Sequence, residues 1–561
     1  SEILAIQGIV TLHDTNQLGT DWSRSTTFVA QMQAEPDNLH PTNGSSAQRS
    51  EFFVYLHRFL VTNSHGNGIE PDLLETLPQV DADNKTYHYR LKKGITWDDG
   101  KPLTAADVLF TCKVNLASLT NNPAFHAYWS KLEAFIPNPK DPLAFDVVMK
   151  EPHVQNVSFF SGFPILQKTH FDPGDLLAKY SIKDLTQPKT SKELEVWFQA
   201  FNQDALGRDP KLISGLGEYA VQDWKPGECI LLKRKNQING SPAQILFRFA
   251  KDENTIALDL KNQVYDAAGN LSMTAFLQLA ADHQFTKNYH CALSPTFNYS
   301  YLCFNTKPDS NRSPLFVDAR VRTAIAHLIP VDQIISMIYQ SFRGQAKRMA
   351  SNVSPYKKEC DSTLKPLDCN RDEAVKLLAV AGWQDHNHDG TIDHGDISMN
   401  AELLYLNTSP DWSDMAAMIV QEMAKVGITI KAVAVDQSVF LDKARNHQFD
   451  MLLGSFGGTS SAEDYSQLWS TTSWLNHGSN YSGFGNTRTD SLIQKINTEL
   501  NEQSRFKLSH QLQQEIYREQ PMIFLYSSLR RTIVHKRWGN IRLFPDRPGM
   551  DISSFRLISG Q

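Results

Sequence analysis

Apolar residues in this chain recur at two different periods, and the two alternate along its length. In "KTYHYRLKKG", Tyr87, Tyr89 and Leu91 fall on one face and His88, Arg90 and Lys92 on the other, the period of a half-buried strand. "TTFVAQMQ" (Thr26–Gln33) reads as a strand in the same way, and "GLGEYAVQDWKPGECILLKRKNQ" as two strands joined by a hairpin at "KPGE". In "VDARVRTAIAHLIPVDQIISMIY", Val321, Ala324, Ile325 and Leu328 stand at helical spacing until Pro330 breaks or restarts the helix. The last third repeats the exchange. "CNRDEAVKLLAVAGW" and "WSDMAAMIVQEMAKVG" read as helices, and Gly427 closes the second as a C-cap. "NAELLYLN", "ITIKAVAVD" and "FDMLLGSFGG" read as strands. Strands and helices that alternate in this way pack as sheets covered on their faces, so the fold class is α/β.

A chain of 561 residues has length for three or four domains or lobes at roughly 150 residues each. Its 55 basic and 61 acidic residues are interspersed, with a net charge of −6 and no basic stripe, which argues against nucleic acid as a partner. No apolar run approaches the roughly 18 residues that span a bilayer. The opening "SEILAIQGIVTLHD" lacks a charged start and a cleavage site, so the chain is expected to be mature or trimmed, its export signal gone. No HExxH, GxSxG, Walker loop or dinucleotide fingerprint appears, which argues against an enzyme.

Six cysteines are present. Cys112, Cys229, Cys291 and Cys303 lie in apolar, patterned segments and read as small buried hydrophobes. Cys360 and Cys369 bracket the polar loop "DSTLKPLD" and are read as a disulfide pair, which would place the chain in an oxidising compartment. The absence of CxxC argues against structural zinc.

One corner is specified closely. Trp97 closes a strand, "DDGKP" supplies a turn, and Thr104 with Asp107 three residues later forms a capping box for the helix that follows. This stretch, "TWDDGKPLTAADVLFTCK", resembles the signature of the oligopeptide/dipeptide/nickel class (family 5) of extracytoplasmic solute-binding proteins, the large receptors of ABC importers. "AEPDNLHPTNG", the middle hairpin, "YSYLCFNTK" with "FVDARVRTAIAHLIPVDQII", and "FDMLLGSFGG" with "GSNYSGFGNTRTDSLI" follow in that family's order, so the resemblance covers nearly the whole chain.

The resemblance implies a two-lobed, periplasmic-binding-protein-like fold of type II, large cluster, with an extra inserted subdomain. On that reading residues 1–51 and 201–300 form lobe I, 52–200 the inserted subdomain, 301–525 lobe II, and 526–561 the return to lobe I. "NYSYLCFNTK" and "PMIFLYSS" would lie near the two crossovers. It also implies a monomer, periplasmic or on the outer face of the cytoplasmic membrane, that captures oligopeptides in an interlobe cleft by hinge closure and presents them to permease subunits. A non-peptide solute (sugar oligomer, metal chelate or haem) is the alternative, as is a sensor using the same fold. No catalytic cofactor is implied.

In peptide-binding relatives an aspartate in the far lobe typically receives the ligand's amino group. Here the loop is "GSFGGTSSAEDYSQLW". Phe456 matches the preceding aromatic, but Thr459 stands at the aspartate's place. Either Asp464 takes over the ammonium or the ligand has none; Asp464 also reads as a helix or turn cap before "YSQLW". The remaining candidates are Asn43 and Gly44 in the early loop, Tyr128 and Trp129 in "HAYWSKL", the run from Phe297 through Tyr299 to Tyr301, and Gly457 and Gly458. Aromatics there would wall a pocket or simply fill the core.

"DHNHDGTIDHGD" stands apart. Asp385, Asn387, Asp389, Asp393 and Asp396 occupy positions 1, 3, 5, 9 and 12 of an EF-hand loop, with Gly390 at 6 and the Thr391 carbonyl at 7. A structural Ca2+ is expected there, against the alternative of a solvated turn, since a strand rather than a helix leaves the loop.

Overall fold

The two hydrophobic periods resolve into two units, each with its own sheet and core. The structure, a computed structural model, describes residues 3–4, 23–44, 46–63, 66–122, 125–187, 191–269, 271–307 and 315–558. Most of the opening segment, "SEILAIQGIVTLHD", therefore lies outside the described residues. Unit 1 comprises Ser1–Ser294 and Arg531–Gln561, and unit 2 comprises Pro295–Arg530. The chain passes between them inside two long strands, Tyr289–Phe304 and Met522–His535. The crossings thus fall at 294/295 and 530/531, not at the expected 300/301 and 525/526. A strand that runs on through a crossing carries no turn signal to mark it.

In unit 1, strand Thr27–Met32 pairs in parallel with Gln244–Phe249 and with Ala267–Ala268. Gln244–Phe249 pairs antiparallel with Cys229–Arg234, which makes the expected hairpin with Tyr219–Lys225. The hairpin turn places Gly227 at φ 75°, a conformation that favours glycine. Phe28, Phe52, Phe247 and Trp538 fill the core beneath this sheet.

The insertion in unit 1 is a four-stranded antiparallel sheet, Gln79–Val80, Thr86–Arg90, Ala144–Met149 and Leu132–Pro137 in that order. Tyr87, Tyr89 and Leu91 point inward at 1%, 4% and 0% exposure, while His88 is exposed, as the alternation predicts. Helix Ala105–Leu116 carries the expected capping box: Thr104 accepts from the Ala106 N–H, and the Asp107 carboxylate accepts from the Thr104 N–H at 3.1 Å. The Trp97 indole donates to the same carboxylate, so turn and helix lock together as framework. The apolar run "FFVYLHRFLVTN" is not a single helix: the helix Gln48–Leu56 ends within it, and Val61–Thr62 is already strand. Arg58 and the Phe59 N–H both bond to Asp72, which draws the chain out of the helix.

In unit 2, strand Asn400–Leu406 pairs in parallel with Thr429–Val435 and with Met451–Phe456. Met451–Phe456 pairs antiparallel with residues 299–304. Helix Pro410–Ala424 joins the first two of these strands. The helical run around Pro330 is two helices, Ala319–Ala326 and Val331–Tyr339, bent by 44°.

Among the cysteines, Cys112, Cys229 and Cys303 are buried as expected, and Cys291 is half-buried. Cys360 and Cys369 do not pair. Cys360 packs half-buried at the edge of the unit 2 core, Cys369 is exposed, and both are free thiols. A loop spacing says nothing about which way two Cβ vectors point, and disulfide geometry depends on that.

Candidate functional site

In unit 2 the segment Gly457–Tyr465 follows directly on strand Met451–Phe456. Phe456 stands opposite Tyr299 in the ladder, and its ring stacks on Tyr301 with centroids 4.6 Å apart. Asn298 Oδ1 accepts from the Gly458 N–H at 3.0 Å and so fixes the start of the loop. A methyl group on Gly458 would lie 2.6 Å from the Phe297 carbonyl oxygen, so glycine is required there by close backbone approach. At Gly457 the nearest atom would be 3.7 Å away, and the position is open.

A small cavity of about 20 Å³ lies under this loop, lined by Tyr299, Asn352, Lys357, Gly458, Glu463 and Asp464 among others. That is room for about one water molecule. The Tyr299 hydroxyl and the Asn352 Nδ2 are buried without a hydrogen-bond partner among the described residues. Lys357 is buried with its side chain 3% exposed, and it is bonded to Glu463, to the Ser461 carbonyl at 2.9 Å, and to Glu359 at 3.5 Å. Burial would lower the Lys357 ammonium, but Glu463 and Glu359 outweigh it and hold the group above its ordinary value. Burial pushes the Glu359 carboxyl up, with Lys357 opposing. Lys357 thus meets two carboxylates, Glu359 and Glu463, and Glu463 is the more exposed of them, its side chain 32% exposed against 12%.

Asp464 caps its own neighbourhood. Its Oδ1 accepts from the Ser466 N–H at 2.9 Å and from Asn497 Nδ2 at 3.0 Å, at the head of the short helix Ser466–Trp469. Thr459 is exposed, and its hydroxyl accepts from the Ser461 N–H at 3.3 Å. Lys357, Glu359, Glu463 and Asn352 were missed by sequence reasoning. "SNVSPYKKEC" looks like a polar loop, and only tertiary packing buries its first lysine.

The candidates in unit 1 are structural in place. Trp129 is fully buried among Phe159, Phe160 and Phe163, and Tyr128 stacks on Phe159 and donates its hydroxyl to the Phe159 carbonyl at 2.8 Å. These rings fill a core, as Tyr301 does in unit 2 at 1% exposure. Asn43 is 4% exposed and donates to the Asn202 carbonyl at 2.7 Å, and the Gly44 carbonyl accepts from Arg49 at 3.0 Å.

The calcium reading finds no support in the structure. The Asp385 carboxylate accepts from the Asp389 and Gly390 N–H groups at 3.1 and 3.0 Å, and Asp389 Oδ1 accepts from the Thr391 N–H at 2.8 Å. Asn387 bonds to Asp389, and Asp393 turns onto the His386 ring and N–H. Asp396 sits in the turn of a small hairpin, Asp393–His394 against Ile397–Ser398. The Asp385, Asn387 and Asp389 oxygens hold the loop's own backbone, and no cluster of three or more His, Cys, Asp or Glu suited to a metal occurs among the described residues.

The model of a family described as bacterial extracellular solute-binding proteins, family 5 Middle, matches residues 68–478. The oligopeptide-binding protein AppA of Bacillus subtilis (strain 168) is 22% identical over 498 residues, covering 87% of this chain and 83% of AppA. The structure of AppA in complex with a nonapeptide aligns with a TM-score of 0.68 over 95% of this chain and 99% of that one, at 20% identity. The ABC transporter substrate binding protein CtaP from Listeria monocytogenes aligns with a TM-score of 0.76 at 19% identity, over 95% and 99% of the two chains. NikZ from Campylobacter jejuni, in complex with Ni(L-His), aligns with a TM-score of 0.70 at 17% identity, over 95% and 100%. These structures share the two-lobed α/β fold. With the family match spanning well over half its length, the chain belongs to the bacterial extracellular solute-binding proteins, family 5, the substrate receptors of ABC importers.

Proposed function

We propose that this receptor captures oligopeptides and that the Gly457–Tyr465 segment of unit 2 takes the peptide's amino end. The acidic surplus around Lys357 carries the reading: Glu463 is half held by a buried cation and keeps exposure with which to meet a second one. A peptide ammonium would meet it in a charge-assisted hydrogen bond. On this reading Glu463, not Asp464, stands in for the aspartate that peptide-binding relatives typically carry. The oligopeptide-binding name and nonapeptide complex of AppA support a peptide ligand.

Thr459 favours a second reading, a non-peptide solute with no ammonium, and NikZ with its Ni(L-His) shows that the fold accepts such cargo. Native mass spectrometry of protein purified from its own cells separates the two. A ladder of mixed peptide masses supports the first reading, and one discrete non-peptide mass overturns it.

A further inference from the structure

Unit 2 holds a second cavity, of about 380 Å³, where the chain leaves strand Tyr289–Phe304 past Thr306 and returns through Pro521 to strand Met522–His535. Its size falls in the roughly 300–1,000 Å³ range of small-molecule pockets. It shares no wall residue with the cavity under the Gly457–Tyr465 loop, and Tyr299 lies about 20 Å back along the chain from Thr306, at roughly 3.3 Å per strand residue. The chain as a whole carries a net charge of −6, but this wall has the opposite balance. Lys307, Arg322, Arg488 and Arg518 line it against two carboxylates, Glu515 and Glu519, which leaves a surplus of two positive charges.

How these groups pair says where the surplus sits. The Glu515 carboxylate, 15% exposed, meets Arg488 Nη2 with Oε1 and Arg518 Nη2 with Oε2. One anion is thus shared by two arginines whose side chains are 70% and 63% exposed, and Nε and Nη1 of both have no partner among the described residues. Arg322 is different. Its side chain is 5% exposed, it donates to the Phe316 carbonyl at 2.7 Å and the Glu519 carbonyl at 3.0 Å, and the Glu519 carboxylate stands 3.5 Å away to balance it. The nearby helix end is already served: Asn486 Oδ1 accepts from the Arg488 and Thr489 N–H groups at 2.9 and 3.2 Å, so the arginines and not the start of helix Thr487–Thr498 make the site. Two guanidinium groups that share one carboxylate are close enough to share a second anionic group. A phosphate puts about 1.5–2 negative charges and three acceptor oxygens on one such group, and guanidinium forks bind it with paired N–H donors.

We propose that this cavity is a second ligand site, for the phosphate group of a small solute, held by Arg488 and Arg518 across Glu515. The site is independent of the peptide reading. It is tested on the full chain by calorimetric titration with inorganic phosphate, and with acetate as the monoanion, at one ionic strength set with chloride so that screening is the same for both. Phosphate is expected to bind saturably at a single site, and acetate about tenfold more weakly or less well still. R488Q and R518Q each leave Glu515 one arginine, and each is expected to weaken phosphate binding about tenfold, the worth of one charge-assisted hydrogen bond. E515Q removes the competing carboxylate and is expected to tighten binding, which a purely structural role for these groups would not do. Phenyl phosphate that binds more tightly than inorganic phosphate supports an organic ester as the occupant, and the reverse order supports free phosphate. Absence of a saturable phosphate heat in the unmodified chain, equal affinity for phosphate and acetate, or R488Q and R518Q that both bind phosphate as the unmodified chain does, overturns the proposal. The comparison of phosphate with acetate needs no variant to fold.

Discussion

Arg537 and Asp266 are joined inside unit 1 by two hydrogen bonds, Nε to Oδ1 at 2.7 Å and Nη2 to Oδ2 at 2.9 Å, with side chains 2% and 0% exposed. Arg24 is a second partner of the same carboxylate, and the Val29 N–H donates to it at 2.8 Å. Burial would raise this carboxyl, but Arg24 and Arg537 outweigh it and hold it well below the usual carboxylate range. The group pins the returning C-terminal segment to the first strand. Removing the carboxylate leaves two buried guanidinium groups uncompensated, so D266N is expected to destabilise unit 1 by about 3–5 kcal/mol, read as a lower urea midpoint. The sign with pH follows from a depressed acid. Its contribution is present above the unfolded carboxylate pKa, near 4, and is lost as pH falls below it. D266N should therefore show a flatter loss of stability below about pH 4 than the unmodified chain.

Three histidines of unit 1 set a second pH dependence. Burial lowers His40 to about 4, His57 to about 3 and His535 to about 4. All three are neutral when folded at pH 7, and each ordinarily titrates near 6.5. Between about pH 6.5 and 4 the unfolded chain binds protons that the folded chain refuses, so stability falls as pH falls. The slope is about 1.4 kcal/mol per pH unit for each group. His535 accepts from the Arg537 N–H at 3.0 Å and meets Gln263 at 2.8 Å. H535Q is expected to flatten the slope by about a third. Urea midpoints that do not change between pH 7 and 5 would contradict the assignment.

The loop from Asp385 to Asp396 should be indifferent to metal. The Asp385 and Asp389 carboxylates are taken up by backbone N–H groups and that of Asp393 by His386, so neither millimolar calcium nor EDTA is expected to move the melting temperature. Asp393 is 5% exposed and bonded to His386, whereas Asp396 is exposed in a turn. D393N should therefore cost about 1–3 kcal/mol and D396N little. A rise in melting temperature on adding calcium would restore the EF-hand reading.

The adjacent glycines at the end of strand Met451–Phe456 should differ sharply. G458A drives a methyl group to 2.6 Å from the Phe297 carbonyl oxygen, and the backbone there must shift. A destabilisation of about 1–3 kcal/mol is expected, as for overpacking, together with weaker ligand binding. G457A meets nothing closer than 3.7 Å and should be nearly silent. Thermal melts and peptide titrations of the two variants check this, and equal effects would refute it.

What could be read from the sequence was whatever is local. The strand of Tyr87 and Tyr89, the Thr104–Asp107 box, the hairpin around Gly227 and the helix restart at Pro330 all depend on neighbours a few residues apart, and all appear where their spacing puts them. What could not be read depends on distant packing. Trp129 and Tyr128 carry the same letters whether they wall a pocket or fill a core, and here they fill a core. Asp385 to Asp396 keeps an ion-binding order, yet its hydrogen-bond partners are its own backbone. Lys357 is two residues from Glu359 in sequence, but 106 from Glu463, and only that longer contact makes it part of a site.

The Lys357–Glu463 pair separates ligand recognition from stability. K357M leaves Glu463 and Glu359 facing each other without the buried cation, and should cost about 3–5 kcal/mol in folding. E463Q is milder, because Lys357 keeps Glu359 and the Ser461 carbonyl. If Glu463 meets the ligand's ammonium, E463Q weakens binding of a peptide with a free amino end by tenfold or more, since a charge-assisted hydrogen bond is worth about 1.5–3 kcal/mol. The same peptide N-acetylated should bind the unmodified chain weakly and lose nothing further in E463Q. D464N is the control, because its carboxylate caps the Ser466–Trp469 helix. It should lower the melting temperature and leave the ratio between free and acetylated peptide unchanged. Calorimetric titration of the two peptides against the three proteins reads all of this at once. A free-to-acetylated ratio that collapses in D464N but survives in E463Q would return the ammonium to Asp464.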